Sequence, residues 1–273
     1  MSGSGKKKLV IAVIGGFDPS AGAGVLADIK TVSAFGCYGV AAVTSLTVQN
    51  TKGVLAAHHQ SGAVVYDQIK ALFDDFDISA IKIGMLPTAE IIESVAAALK
   101  GRQPNLPYVV VDPVLRASSG FDLASDITSL AELIFPLAAL VTPNAAEAGR
   151  ITGVEVLDEL SMISAGRRVL TMIPGGAAAV LVKGGDLPGE NATDILVDSE
   201  GVFRLSSLRI QSSNTHGTGC TLASAIAALL ARGKPLREAV SLAKDYVAEA
   251  IRTAPGLGHG RGPLNHFPYK PAR

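Results

Sequence analysis

Short apolar runs rich in Val and Ile alternate with longer segments of helical period along this sequence, and this alternation limits the folds open to it. The runs are apolar throughout, which is typical of strands covered on both faces. Repeated strand–helix alternation predicts an α/β fold whose central sheet is mostly parallel, with helices on both faces. The predicted strands of this kind cover residues 9–15, 40–47, 80–84, 108–112, 139–142 and 178–183.

A late β-hairpin interrupts the alternation. Its two strands are predicted at 193–198 and 202–210, on either side of the turn Ser199-Glu200-Gly201. Two adjacent helices then close the fold. All predicted helices together cover residues 24–35, 63–76, 88–99, 123–135, 145–152, 161–172, 218–231 and 235–253.

The length and apolar content of the chain suit one large core. The chain has 273 residues, of which 48% are hydrophobic and 18% are charged. Many α/β folds reach this length as one domain. Because no linker, repeat or low-complexity stretch interrupts the pattern, we expect a single domain over residues 9–273, preceded by a flexible tail of residues 1–8.

Composition also bears on partners and compartment. A formal net charge of +0 and an aromatic content of 5% argue against a nucleic-acid partner, which would require a basic face or stacking side chains. No run approaches the roughly 18 apolar residues that a membrane span requires, so no membrane partner is expected. Two cysteines, Cys37 and Cys220, cannot form a disulfide framework, which favours a reducing, cytoplasmic setting.

The segment from Ser213 to Thr221 carries the strongest functional signal. It is a glycine-spaced loop that runs directly into a predicted helix, whose first backbone N–H groups have no partner inside the helix. Gly217 and Gly219 allow these amides to approach an anion closely. Cys220 stands at the positive helix end, where a thiol is expected to ionise readily. The alternative interpretation is a helix start with a small buried cysteine.

Polar motifs follow most of the predicted strands. In an open α/β sheet, ligands collect beyond the carboxyl ends of the strands, so these motifs are expected to line one site. They are Gly16-Phe17-Asp18, Gln49-Asn50, Gly84-Met85, Asp112-Pro113, Pro143-Asn144 and Lys183-Gly184-Gly185.

The segment Gly22-Ala23-Gly24-Val25-Leu26-Ala27 supplies a rival hypothesis, because it matches the Gly-x-Gly-x-x-Ala pattern of dinucleotide-binding folds. An NAD(P)-dependent oxidoreductase would use such a loop. Two features oppose this reading. Residues 17–21 separate the first glycine from the strand, and the second strand ends in Gln49-Asn50 without the acidic residue that would bind a ribose.

Several motifs together resemble the hydroxymethylpyrimidine and hydroxymethylpyrimidine-phosphate kinases of the ribokinase-like superfamily. The resemblance covers about residues 10–267, in order. It implies a ribokinase-like fold, a homodimer, and transfer of phosphate from ATP, with Mg²⁺, to a small heterocyclic alcohol on the route to thiamine. The motifs are Gly16-Phe17-Asp18-Pro19-Ser20-Ala21-Gly22-Ala23-Gly24, Asp28-Ile29-Lys30-Thr31, Val48-Gln49-Asn50-Thr51, Lys82-Ile83-Gly84-Met85-Leu86, Val111-Asp112-Pro113-Val114, Thr142-Pro143-Asn144-Ala145-Ala146-Glu147, Val182-Lys183-Gly184-Gly185, Asn214 to Cys220, and Gly260 to Phe267.

The resemblance assigns roles at the phosphate-transfer end. Phosphoryl transfer depends mainly on alignment and charge neutralisation, which the amides of residues 217–220 and the amine of Lys183 would supply. Cys220 takes the position that an Asp base occupies in the wider superfamily, and a Cys there is characteristic of the pyrimidine kinases. The residues expected to hold ATP phosphates are Asn144, Lys183, Thr215, Gly217 and Gly219, with Thr218 in the catalytic loop.

Magnesium is expected at two carboxylates. Asn144 and Glu147 resemble an Asn-x-x-Glu element that orders Mg²⁺, partly through water, and Asp112 is expected to assist. Asn144 and Glu147 also fit a helix capping box, and the two interpretations are compatible.

The acceptor is expected to bind at residues from five different segments. Gln49 offers an amide donor and an amide acceptor that match a ring nitrogen beside an exocyclic amine. Asp28 is expected to accept from the substrate hydroxyl or amine. Gly16, Met85 and Val114 resemble the ring-enclosing positions of the family, although without the resemblance Met85 and Val114 would be assigned to the core. A pyridoxal or pyridoxine kinase, or a bifunctional enzyme, remains the nearest alternative.

Overall fold

A computed structural model describes residues 8–115, 126–173 and 179–268. Within these ranges, nine strands alternate with helices along the chain. The strands are β1 (Val10–Phe17), β2 (Tyr38–Asn50), β3 (Gly53–His59), β4 (Ile78–Ile83), β5 (Tyr108–Val111), β6 (Leu140–Val141), β7 (Ala179–Lys183), β8 (Asn191–Asp198) and β9 (Gly201–Leu208).

The nine strands of the described ranges form one sheet in the order β3-β2-β1-β4-β5-β6-β7-β8-β9. The six strands from β2 to β7 in that order are parallel to one another. The edge strand β3 is antiparallel to β2, and β8 and β9 form an antiparallel hairpin beside β7. The predicted α/β class, the mostly parallel sheet and the late hairpin are confirmed.

The helices are α1 (Gly24–Ala34), α2 (Gly62–Asp75), α3 (Ala89–Lys100), α4 (Ile127–Ser129), α5 (Ala145–Thr152), α6 (Glu159–Leu170), α7 (Thr218–Ala231) and α8 (Leu236–Arg252). None of the helices in the described ranges is long and apolar enough to cross a membrane.

Helices cover both faces of the sheet because neighbouring strand residues point in opposite directions. In β1, Ile14 packs into a core that includes α2, α3 and α6. The neighbouring residue Val13 packs into the opposite core, with α1, α7 and α8. Both side chains are at most 1% exposed. Burial on both faces explains why the strand sequences are apolar throughout rather than alternating.

Two sequence predictions need correction. The second strand was predicted to end at residue 47, but β2 continues to Asn50 and turns into β3, which was not predicted. The predicted helix 123–135 is broken: after α4 the chain forms a π-helical turn, Leu130–Ile134, and a 3₁₀ turn, Phe135–Leu137. Pro136 has no N–H to donate and cannot continue an α-helix.

Several predicted segments reach beyond the described ranges. Residues 123–125 of the predicted helix lie outside them, and so does residue 178 of the predicted sixth strand. Residues 1–7 of the predicted tail and residues 269–273 of the predicted domain also lie outside.

Candidate active site

A cavity of about 420 Å³ lies at the carboxyl ends of the parallel strands. It is lined by residues from β1, β2, the loops after β4 and β5, the end of β7, the hairpin, and helices α7 and α8. Every predicted site residue except Asp28 lines it: Gly16, Gln49, Met85, Asp112, Val114, Asn144, Glu147, Lys183, Thr215, Gly217, Thr218, Gly219 and Cys220. The expectation that the strand-end motifs converge is therefore met.

Helix α7 begins at Gly217, which has a left-handed backbone with φ +82°. A Cβ on this residue would lie 1.9 Å from the carbonyl oxygen of Gly22, so both the conformation and the close approach require glycine. The Gly217 carbonyl accepts the helical hydrogen bond from Thr221 N at 2.9 Å. No side chain caps the helix, and residues 217–220 line the cavity, as an anion-binding helix end would. Thr218 N also makes a long hydrogen bond to the Thr215 carbonyl oxygen, at 3.4 Å. We call the amides from Gly217 to Cys220 the amide cradle.

Lys183 stands directly against the amide cradle. A Cβ on Gly219 would lie 3.1 Å from Lys183 Nζ and 3.3 Å from Asp112 Oδ2. Lys183 Nζ donates to Asp112 Oδ1 at 2.6 Å, and Thr142 Oγ1 donates to the same oxygen at 3.1 Å. Burial alone would lower the pKa of Lys183, but the Asp112 and Glu147 carboxylates raise it above its ordinary value. The amine is therefore charged beside the cradle.

Glu147 and Asn144 form the predicted capping box at the start of α5. Asn144 Oδ1 accepts from Glu147 N at 2.8 Å, and Glu147 Oε2 accepts from Asn144 N at 2.8 Å. Burial raises the pKa of Glu147 to about 7, with Lys183 opposing this shift and Asp112 adding to it. A buried carboxyl of this kind favours a cationic partner.

The two carboxylates beside Lys183 suit a hard cation such as Mg²⁺ that takes most of its ligands from water and phosphate. Asp112 and Glu147 are 2% and 6% exposed and line the cavity beside Lys183. No cluster of three or more His, Cys, Asp or Glu side chains that could hold a metal occurs in the described part of the chain. Mg²⁺ commonly binds through one or two carboxylates, water and substrate phosphates. The two carboxylates fit that pattern and do not form an all-protein cage.

Gly16, Met85 and Gln49, which were predicted to bind the acceptor, line one end of the cavity. A Cβ on Gly16 would lie 2.9 Å from Met85 Sδ, so the thioether covers the end of β1. Thr44 Oγ1 donates to the Met85 carbonyl oxygen at 2.7 Å and fixes the loop after β4. The Gln49 amide lies within hydrogen-bonding distance of Thr47 Oγ1 and of the His216 ring.

Asp28, which was predicted to bind the substrate, does not line the cavity. Its carboxylate is 0% exposed and accepts from Lys82 Nζ and from Ser224 Oγ, each at 2.8 Å. Burial raises the pKa of Asp28, while Lys82 lowers it. Lys82 is 1% exposed and lines the cavity beneath the ring-enclosing residues. Sequence alone gave one signal for this pair: a charge within the apolar strand β4 needs a buried partner.

The expectation that Cys220 ionises readily is also contradicted. Burial raises the pKa of the Cys220 thiol to about 11, although the Lys82 ammonium acts in the opposite direction. The backbone N–H of Gly24 donates to the sulfur. The thiol is therefore neutral at physiological pH in the unliganded site. Desolvation outweighs the nearby ammonium, and the carboxylates of Asp28 and Asp112 also raise the pKa.

Two residues to which the sequence assigned no individual role, His216 and Asp18, lie beside Gln49. His216 Nε2 lies 2.8 Å from Asp18 Oδ2 and 3.0 Å from the Gln49 amide. Asp18 Oδ1 also accepts from Ser20 N and Oγ, at 2.8 and 2.7 Å. In the sequence, both residues stood out only as members of longer motifs. Their contact joins residues 198 positions apart, and no local sequence pattern predicts it.

The hairpin and α8 form the far wall of the cavity. Lys244 Nζ pairs with Asp194 Oδ2 at 2.6 Å, and Asp194 Oδ1 accepts from Gly184 N at 3.0 Å. This pair fixes the glycine loop after Lys183 against α8. The remaining wall includes apolar side chains that the sequence did not assign to the site, namely Leu222, Val247 and Ile251.

The dinucleotide-binding hypothesis finds no support in the geometry. Residues 18–23 form an irregular loop between β1 and α1, and this loop is held by the Asp18 carboxylate, which also accepts from Ala23 N at 3.0 Å. A Cβ on Gly24 would lie 2.2 Å from the Gly16 carbonyl oxygen, so this glycine serves a close packing of β1 against α1.

Comparisons with known proteins agree on one family. The family model described as phosphomethylpyrimidine kinase matches residues 18–265. A hydroxymethylpyrimidine/phosphomethylpyrimidine kinase from Rhizobium meliloti is 46% identical over 93% of this chain and 95% of that protein. The thiamine biosynthesis bifunctional protein ThiED from Geobacter sulfurreducens is 48% identical over 94% of this chain, which spans 52% of that longer protein.

A solved structure matches nearly the whole fold. The pyridoxal kinase from Staphylococcus aureus, in complex with AMP-PCP and pyridoxal, is 32% identical, with a TM-score of 0.86 over 96% of this chain and 94% of that one. An ATP analogue and a heterocyclic alcohol therefore bind to a protein of this fold.

Proposed function

The chain belongs to the phosphomethylpyrimidine kinase family, and from this premise we propose that it is an ATP-dependent kinase of the thiamine route. It phosphorylates 4-amino-5-hydroxymethyl-2-methylpyrimidine and then the resulting monophosphate. The observation that carries the proposal is that Lys183 Nζ lies close to Gly219 of the amide cradle, in the same cavity as Gln49. That arrangement provides a site for the moving phosphoryl group between a donor and an acceptor.

ATP phosphates would bind at the amide cradle and Lys183, with Asn144 and Thr215 nearby. In the transfer, the acceptor oxygen bonds to the γ-phosphorus while the bond from that phosphorus to the β,γ-bridging oxygen breaks, and ADP leaves. Charge on the transferred group is spread over its equatorial oxygens. Amides and an amine already fixed in place would stabilise that charge without reorganisation.

Mg²⁺ would bind near Asp112 and Glu147, with water and ATP phosphates completing its ligands. When bound, the ion supplies positive charge that neutralises the phosphates. Asp112 also holds Lys183 at 2.6 Å, so the carboxylate keeps the amine in place whether or not the ion is bound.

Cys220 would take the proton of the acceptor hydroxyl as the new bond forms. Its thiol must first lose its own proton, which the pKa of about 11 makes unfavourable in the unliganded site. The Lys82 ammonium is the neighbouring charge that would stabilise the resulting thiolate. Since a loose transition state demands little of a base, we expect a contribution near 10²-fold, the low end of the usual range.

The acceptor ring would lie between Gly16, Met85 and Val114, with the Gln49 amide at its edge. A ring nitrogen beside an exocyclic amine would satisfy an amide, which both donates and accepts. Asp28 takes no part in this contact because its carboxylate is fully buried against Lys82.

A substrate panel in an ADP-release assay tests the proposal, with product masses measured to count the phosphates added. We expect turnover of the pyrimidine and of its monophosphate. Pyridoxal is the second candidate, supported by the match to the Staphylococcus aureus pyridoxal kinase. ADP release with pyridoxal and none with the pyrimidine would replace the first proposal by the second.

We further propose that the protein acts as a cytoplasmic homodimer. Both cysteines, Cys37 and Cys220, are free thiols, as a reducing compartment allows. The edge of the sheet exposes Leu46, Val48 and Leu55, which are 46%, 45% and 71% accessible. Exposed apolar groups on neighbouring strands are typical of an association surface. Light scattering measures the mass of the purified protein and of the Leu55→Asp variant, and we expect a dimer for the first and a monomer for the second. A monomeric mass for the unaltered protein would refute the dimer.

A further inference from the structure

The imidazole of His216 contacts Gln49, and the residue directly precedes the amide cradle. The Gln49 amide near the end of β2 lies within hydrogen-bonding distance of the His216 ring. The next residue in the sequence, Gly217, is the first residue of the amide cradle. Its ring is held firmly: a Cβ on Gly22 would lie 2.5 Å from His216 Cδ2. The backbone N–H of His216 donates to the Gly262 carbonyl oxygen at 3.2 Å. The ring therefore has one orientation.

Asp18 determines which ring nitrogen carries a proton. Its Oδ2 lies 2.8 Å from His216 Nε2. Although burial raises the pKa of Asp18, hydrogen bonds from His216 and Ser20 outweigh this effect and hold the pKa below its ordinary value. A carboxylate can only accept a hydrogen bond. His216 Nε2 therefore carries a hydrogen and donates it, in the neutral and in the doubly protonated ring alike.

This proton limits the orientation of the Gln49 side-chain amide. With the Gln49 amide nitrogen 3.0 Å from His216 Nε2, two N–H donors would face each other, and they cannot form a hydrogen bond. Rotating the Gln49 amide by 180° places its oxygen next to His216 Nε2. The Nε2 hydrogen is then accepted by both this oxygen and Asp18 Oδ2. The oxygen and nitrogen positions of an amide are assigned from such proton counts.

The other end of the amide leads to the same orientation. Thr47 Oγ1 lies 2.9 Å from the Phe17 carbonyl oxygen and 3.2 Å from the second Gln49 amide atom. A hydroxyl has one hydrogen, and the carbonyl can only accept it. The Gln49 atom facing Thr47 must then be the nitrogen, which donates to the hydroxyl oxygen. Two independent counts thus require the same rotation.

We propose that Asp18 and His216 act as a positioning pair that fixes the Gln49 amide with its oxygen toward His216 and its nitrogen toward Thr47, so that the site selects an acceptor ring by its hydrogen-bonding edge. In this orientation the amide retains one N–H and one oxygen lone pair. They match a ring nitrogen that accepts and a neighbouring amine that donates. A pyridine ring without the amine leaves the oxygen lone pair unused. The inference rests on the proposed function for the identity of the acceptor.

The tautomer is tested without any activity measurement. The chain has five histidines, so ¹⁵N labelling of histidine gives a spectrum in which His216 is assigned by its loss in His216→Gln. We expect His216 to carry the Nε2 hydrogen and Asp18→Asn to shift the tautomer population. His59→Gln serves as the matched control, because His59 contacts Ser45 on the same sheet edge but does not line the cavity. An Nδ1-protonated, Nε2-bare His216 in the unaltered protein would overturn the proposal.

Kinetics then test selection of the acceptor. Two acceptors are compared: the aminopyrimidine and an analogue with hydrogen in place of the amine. We expect Asp18→Asn to lower the ratio of their kcat/KM values, aminopyrimidine over analogue, by about tenfold, the equivalent of about 1.4 kcal/mol. The KM for ATP should change less than about threefold. In a Gln49→Leu background, the same substitution should leave the acceptor ratio unchanged, because the pair acts through Gln49.

Equal losses for both acceptors in Asp18→Asn, or a further fall of the ratio in the Gln49→Leu background, would show a merely structural role. The thermal unfolding midpoint of each variant is also measured. If a variant is unstable, the ¹⁵N spectrum of His216 in the unaltered protein decides between the two outcomes. Failure of the proposed function is distinguished by the unaltered protein, which would then release no ADP with the aminopyrimidine.

Discussion

Lys82 places its ammonium 2.8 Å from the carboxylate of Asp28, and both side chains are buried beneath the cavity, with at most 1% of either exposed. The pair joins β4 to α1, and Ser224 on α7 completes it by donating to Asp28 at 2.8 Å. The contact therefore ties together three elements that carry the site. The Lys82 ammonium also acts on Cys220: it lowers the pKa of that thiol, whereas burial raises it.

Replacing Asp28 by Ala should cost stability rather than affinity. Removing one partner of a buried ion pair leaves an uncompensated charge and typically destabilises by about 3–5 kcal/mol. Urea unfolding measures the loss. The double variant Asp28→Leu with Lys82→Met should recover much of it, because no charge is then left unpaired. An Asp28→Asn protein of unaltered stability with a raised KM for the pyrimidine would instead indicate direct contact with substrate.

Cys220→Ala should slow the first phosphorylation more than the second. The first acceptor is an alcohol that must lose a proton, whereas a phosphate monoester, with a second pKa near 6, is already ionised at neutral pH. We expect a loss of roughly 10²-fold in kcat for the alcohol and a smaller loss for the monophosphate, with the KM for ATP nearly unchanged. Single-turnover assays with each acceptor measure this. Cys37→Ala is the matched control, and equal losses on both acceptors would remove the base role.

The raised pKa of Cys220 has a direct chemical consequence. Iodoacetamide reacts with thiolates, so alkylation of Cys220 should be slow near neutral pH and should still be accelerating above pH 9. Peptide masses separate this residue from Cys37, whose pKa burial also raises. A reaction rate that levels off below pH 8 would show a thiol that ionises readily, as the sequence suggested.

Gly219→Ala should leave the protein folded and impair phosphoryl transfer. The added Cβ would lie 3.1 Å from Lys183 Nζ, close enough to displace the amine and narrow the amide cradle. Loss of one such donor group commonly lowers kcat by about 10²–10³-fold. Gly101→Ala is the control, since its Cβ would lie 3.7 Å from the nearest atom and the residue ends α3 far from the cavity. Unchanged kcat in Gly219→Ala would argue that phosphate binds elsewhere.

Acid should destabilise the protein through His266. This side chain is 4% exposed, and burial lowers its pKa from 6.5 to about 4, with the charge of Lys30 acting in the same direction. Between these values the unfolded chain binds more protons than the folded one, so stability is retained above pH 6.5 and lost as the pH falls toward 4. The pKa difference corresponds to about 3 kcal/mol.

A His266→Gln variant isolates this contribution. Urea unfolding of both proteins from pH 7 to pH 4 should give curves of different slope, with the variant losing less stability as the pH falls. Parallel curves would mean that His266 becomes protonated in the folded protein without cost. The contribution of His266 is the difference between the two curves, because carboxyl groups present in both proteins, such as Glu147 with its raised pKa, titrate over the same range.

The parallel part of the fold was predictable because burial on both faces makes strands such as β1, β4 and β5 continuously apolar. The edge strand β3 was missed for the opposite reason. Its residues are half-buried or exposed, including Leu55 at 71% accessibility, and its apolar run is only four residues long, Val54 to Ala57, without strict alternation. Such a strand is defined by its pairing with β2. The two strands meet across the two-residue turn Thr51-Lys52, which lacks the Asn-Gly or Asp-Gly pair that most strongly signals a hairpin.

The site shows the same division. Lys183, Gln49 and the glycines of α7 were placed correctly in one cavity, because strand-end motifs in a parallel sheet meet at one edge. Asp28 was misplaced since a helix position does not reveal which face is buried. The ionisation of Cys220 was mispredicted because its desolvation depends on every element packed around it.

The amino-acid sequence by itself determined the α/β class, the glycine-spaced loop at the start of α7 and the edge of the sheet where the strand-end motifs meet. These features depend on local conformation and on the two-residue and 3.6-residue periods of burial. Only the tertiary structure decided that Asp28 pairs with Lys82, that Asp18 faces His216, and that the thiol of Cys220 is held neutral. Each of these depends on distances between segments far apart in the chain, and on the loss of water around charges when those segments pack together.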